Sequence, residues 1–74
     1  MLVKIEAYFD GEYWCGRGIG QDIFTQGKTL DELMKNIEES VQLHFEDRLN
    51  AGDTLNILVL SEVEVKGAPK VTAG

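Results

Sequence analysis

One stretch of this chain has the period of a helix, and it constrains everything around it. Leu30, Leu33, Met34, Ile37, Val41, His44 and Phe45 recur at intervals of three and four residues and form one apolar stripe. Lys35, Asn36, Glu38, Glu39, Gln42 and Glu46 fall on the other side and predict a solvent face. Just upstream, Thr29-Leu30-Asp31-Glu32 reads T-x-x-E. In that pattern Thr29 caps the third helical amide while the Glu32 carboxylate reaches back to the Thr29 amide. Asp31 and Glu32 also complement the positive end of the helix dipole. Asn50-Ala51-Gly52 supplies the stop, so the spacing predicts a single helix over residues 30–49. A lone amphipathic helix must bury its stripe against another layer, and the flanking segments have to provide that layer.

Those segments have a period of two. Val3, Ile5, Ala7 and Phe9 alternate with Lys4, Glu6 and Tyr8, the pattern of a half-buried strand over residues 2–9. Asp10-Gly11 then favours a two-residue type I′ turn. A second strand over 12–17 follows, with Tyr13 and Trp14, and Gly16, Gly18 and Gly20 mark a twist, a bulge or its exit from the sheet. A short third strand spans 22–26. Beyond the helix, residues 55–65 form the fourth strand, with Leu55, Ile57, Val59, Val63 and Val65 on one face and Leu58 and Leu60 on the other. A strand apolar on both faces is expected in the middle of a sheet or under another subunit. The order β-β-β-α-β predicts an α+β two-layer sandwich, one helix on a four-stranded mixed sheet, with the fourth strand crossing over to lie beside the first. The domain is placed at residues 2–65, and residues 66–74 read as a disordered tail.

Size and charge limit what such a domain can do. At 8.2 kDa the chain makes one domain, and a domain of this size buries only about 60% of its unfolded surface, near the lower limit for independent stability. The single cysteine, Cys15, has no internal disulfide partner, and with one histidine, His44, it offers no thiolate metal site. No metal or cofactor is expected. Self-association as a dimer or larger homo-oligomer is the remaining supplement. The sheet face away from the helix has no cover within the chain, and Tyr8, Trp14, Leu58 and Leu60 are the candidates to line an oligomer interface there. Thirteen acidic and seven basic residues give a net charge of −6 and no basic stripe, so direct nucleic-acid binding is not expected. No membrane span or signal peptide is legible, and the unpaired thiol fits a cytoplasmic location.

Three segments together resemble the HicB-like antitoxins. Phe24-Thr25-Gln26-Gly27-Lys28-Thr29-Leu30-Asp31-Glu32-Leu33 looks like the family's T-x-G-x-T-x-x-E strand-to-helix junction. Asn36-Ile37-Glu38-Glu39-Ser40-Val41 is similar to its N-I-x-E-A-[IV] helix, and Asp10-Gly11-Glu12-Tyr13-Trp14 to its hairpin. The likeness runs over residues 3–65. It implies a partial RNase H-like fold and a role in neutralising a small basic RNA-cleaving toxin of the HicA type. Gln21-Asp22 stands where many members have Pro-Gly, and a short tail stands where many carry a DNA-binding module, so operator binding is not implied. Without a toxin, the same features describe a stand-alone oligomeric structural or regulatory domain.

Kinship with RNase H invites a two-metal nuclease built from Glu6, Glu38 or Glu39, and Glu62, but the helix glutamates fall on the solvent face. Cys15 and His44 lack a third orienting group, and His44 reads as a helix-end packing residue. Gly16-Arg17-Gly18-Ile19-Gly20 resembles a phosphate loop, yet a strand rather than a helix follows it. The expectation is therefore no enzyme. The acidic helix face, with Glu38, Glu39 and Glu46 at its centre, is the candidate surface for a cationic partner.

Overall fold

The computed structural model describes residues 1–70. Strands β1 (Leu2–Phe9), β2 (Trp14–Gly18), β3 (Phe24–Gly27) and β4 (Asn56–Ser61) form one mixed sheet in the order β3-β2-β1-β4. Helix α1 (Leu30–His44) lies across one face, and a short helix, α2 (Glu46–Asn50), follows it. β1 is antiparallel to β2, β2 to β3, and β4 runs parallel beside β1, as the β-β-β-α-β order requires. No described helix is long and apolar enough to cross a membrane.

The core is the meeting of the two periods. Val3, Ile5 and Ala7 from β1, with Ile23, pack beneath Leu33, Ile37, Val41 and Phe45, and all eight are buried. The four helical residues are spaced by four, which rotates the stripe by about 40° per step. A straight helix would carry the stripe off the sheet. Instead the chain breaks at Phe45 (φ −112°, ψ 27°), whose ring closes the end of the core, and α2 beyond it has no buried residue. The predicted single helix over 30–49 is therefore two segments. His44 is exposed, its ring set edge-on to Phe45 at 4.8 Å, and does not share the buried stripe.

Two glycines let the layers approach. A Cβ at Gly27 would lie 2.5 Å from the Leu33 backbone nitrogen, and one at Gly16 would lie 3.1 Å from the Ile37 side chain. The sequence predicts a twist, a bulge or a strand exit at Gly16; there, as at Gly27, the missing side chain lets α1 come down onto the sheet.

The hairpin also differs from expectation. Phe9 pairs with Trp14, leaving a four-residue loop. The Asp10 carboxylate accepts from the amides of Glu12 and Tyr13 at 2.9 and 2.7 Å, and only Gly11 has positive φ. A type I′ turn would need positive φ at Asp10 as well, and the Asx turn avoids that cost. Asn36, expected in solvent, is half-buried and donates to the Gln26 carbonyl at 2.6 Å. β4 is an edge strand, not a central one, and it ends at Ser61 because β1 pairs with it only as far as Ala7. Residues 62–70 are exposed without regular structure, and the last four residues of the expected tail lie outside the described residues.

Candidate interaction surfaces

Strand register decides which side chains share the open face of the sheet. Ala7 and Ile5 face the helix, so Leu2, Lys4, Glu6 and Tyr8 face away from it. Opposite residues in a ladder point the same way. Leu58 pairs with Lys4 and Leu60 with Glu6, placing both leucines on the open face as expected. Trp14, however, pairs with Phe9 and packs against the edge of the helix-covered core. Its assignment to the open face is corrected: Trp14 lies two residues before Gly16, which meets α1, so alternation along β2 puts it on the helix side.

Three open-face residues escaped the sequence reading. Phe24 pairs with Arg17, Leu2 with Asn56, and Ile19 lines one groove with Tyr8 and Leu60. Leu2, Ile19, Phe24, Leu58 and Leu60 are each 41–57% exposed. Leu2 follows from the alternation of β1, whereas finding Phe24 and Ile19 requires the register of β2 with its neighbours. Between them Arg17 bonds Glu6 at 3.0 Å and lies 5.9 Å from the Tyr8 ring centroid, so the face is apolar with one compensated ion pair and Lys4. The Glu6 carboxylate holds the Arg17 guanidinium above its ordinary value.

Cys15 pairs with Tyr8 and so belongs to this face, yet it is buried. Its sulfur sits 3.6 Å from the Asp10 carboxylate and 3.9 Å from the Gln26 amide. Burial, and then the nearby Asp10 charge, push the thiol above its ordinary value, which leaves it protonated and a poor nucleophile. His44 lies in the helix layer on the other side of the sheet.

The helix layer carries the acidic surface. Glu38, Glu39 and Glu46 are all exposed, as expected. Leu43, which the periodicity left unassigned, stands 75% exposed among them. With Leu49 it lines an open groove together with Glu39, Gln42, Glu46 and Asn50. At the start of the helix the Thr29 hydroxyl accepts from the Glu32 amide at 3.1 Å. The reciprocal bond from Glu32 to the Thr29 amide is not formed: the Glu32 carboxylate stays in solvent, so half of the expected capping box is present.

The carboxylates do not converge. Glu6 lies on the open sheet face and Glu38 and Glu39 on the helix across the sheet from it. Among the described residues no group of three His, Cys, Asp or Glu could hold a metal ion. The glycine-rich segment from Gly16 runs out of β2 toward β3, with Gly18 donating to Ile23 and Ile19 to Lys4, and no helix opens onto it.

No family model and no solved structure matches the chain. Over 47 residues, 64% of this chain and 68% of the relative, it is 34% identical to a UPF0150 protein of Archaeoglobus fulgidus.

Proposed function

The chain belongs to the UPF0150 family, and from that premise we propose that it is a HicB-like antitoxin or antitoxin-derived binding module. It neutralises a small, basic, RNA-cleaving protein by covering that protein's active site, works as a homo-oligomer, and makes or breaks no bond. The observation that carries this reading is the groove at Leu43: an exposed apolar residue beside a half-buried leucine, with Glu39 and Glu46 lining the same groove. Opposed charge speeds the encounter with a cationic protein and orients it. An apolar contact at the centre then supplies the slow dissociation that long-range charge does not. The resemblance of residues 24–41 to the HicB-like strand-to-helix junction supports the same reading.

The test is capture from lysate of the source organism, followed by a salt series. One small basic protein, released as salt rises and lost when Leu43 is replaced by Asp or when Glu39 and Glu46 are replaced by Lys, is the expected result. Recovery of the chain alone would refute the antitoxin reading and favour a stand-alone oligomeric domain.

A further inference from the structure

The two edges of the sheet are treated differently. β3 is four residues long, Gly27 is pressed against the start of α1, and the Asn36 side chain bonds the Gln26 carbonyl. Exposed edges are commonly blunted in this way, by shortness, cover or charge. β4 has none of these protections. Asn56-Ile57-Leu58-Val59-Leu60-Ser61 contains no charge and no proline, although the chain as a whole carries −6. The Asn56 amide donates to the Met1 carbonyl, so alternate residues from Asn56 bond β1 and the backbone groups of Ile57, Val59 and Ser61 point away from the sheet.

The pattern also runs past the strand. Val63 and Val65 continue the alternation of Leu55, Ile57 and Val59, yet they stand 80% and 88% exposed, beyond the last rung of the β1–β4 ladder at Ala7 and Ser61. We propose that β4 pairs antiparallel with β4 of a second copy, with Val59 at the two-fold axis, and that this pairing extends the strand through Val63. This deepens the homo-oligomer part of the proposed function and is independent of any toxin. In that register Leu58 of one copy faces Leu60 of the other, and Ile57 faces Ser61. Leu55, half-buried in the single copy, faces Val63, and Glu62 faces Asn56. No acidic residue opposes another, which a chain of net charge −6 needs in any contact with itself. The residues that meet through hydrogen bonds are those whose backbone groups point outward, and both helices fall on one face of an eight-stranded sheet. Shifting the register by two residues would set Leu58 against itself and Ile57 against Val59, but Leu60 against Asn56 and Leu55 against Ser61, so two of the three leucines would lose an apolar partner.

The experiment is amide hydrogen exchange on the full chain at dilute and high concentration, with mass measured by light scattering. A dimer whose Ile57, Val59, Ser61 and Val63 amides exchange at least ~10-fold more slowly at high concentration is the expected result. Ser61→Pro removes an outward N–H without touching the β1 ladder, and it should yield a folded monomer. A dimer with those four amides unprotected, or a Ser61→Pro dimer, would overturn edge pairing while leaving the oligomer reading intact. A monomer at every concentration would overturn both.

Discussion

Val3, Ile5 and Ala7 on one side of β1 are sealed beneath α1, whereas Leu2 and Tyr8 on the other side share their face with Ile19, Phe24, Leu58 and Leu60 and meet no covering element among the described residues. Both rows carry large apolar side chains, although the open row mixes them with Lys4 and the Glu6–Arg17 pair, and one helix can cover only one face. Burial within this chain was set by the supply of cover. Hydrophobicity alone does not separate Ile5 from Leu58.

That difference can be broken directly. Ile37→Ala empties a site 1% exposed and should cost about 2–5 kcal/mol, a large part of the stability of so small a domain. Leu60→Ala on the open face should cost under about 1 kcal/mol in dilute chemical denaturation. Equal losses would mean that the open face is already covered in the folded unit. A smaller effect tests how the covering helix is held at its start. Thr29→Ala should cost about 1 kcal/mol, with the whole loss in the cap of α1. Glu32→Ala should cost much less, because its carboxylate makes no return bond. A comparable loss at Glu32, read from thermal melting, would restore the full capping box.

Cys15 is the buried exception on the open face, and its neighbours make the comparison sensitive to pH. The amides of Tyr13 and Glu12 hold the Asp10 carboxyl below its ordinary 3.8, so the stability it adds is present above that value and is lost as pH falls through the lower, folded value. Burial holds the Cys15 thiol above its ordinary 9.0, so the stability from keeping it protonated is complete below pH 9 and is lost as pH rises through the folded value. Melting temperature against pH should therefore fall at both ends. Asp10→Asn should flatten the acid limb and Cys15→Ala the alkaline one. An unchanged acid limb in Asp10→Asn would show that the Asx turn contributes nothing.

Much of the candidate surface was legible because it follows from local chemistry. Leu58, Leu60 and Tyr8 could be placed by alternation, and Glu38, Glu39 and Glu46 by helical period. Trp14 follows the same alternation, because a loop of two residues or of four sets it opposite Ala7 or Phe9, both on the helix side; the Asx turn at Asp10 decides only which of the two it faces. Phe24 and Ile19 could not be placed in this way: each needs the register of its segment known to the residue, and a one-residue slip exchanges the faces. Leu43 falls outside the buried stripe at its own step of the helix, and nothing local marks an exposed leucine as a surface feature.

What the sequence determined by itself was therefore the four strands and the main helix, their order and the polarity of each. Those follow from period, capping and turn residues that act within a few positions along the chain. Only the tertiary structure decided that α1 breaks at Phe45, that Gly16 and Gly27 serve helix contact, and that β4 lies at an edge with its apolar pattern running past its ladder with β1. Each of these depends on how two layers meet across the core, where the distance that matters is through space and the neighbours are far apart along the chain.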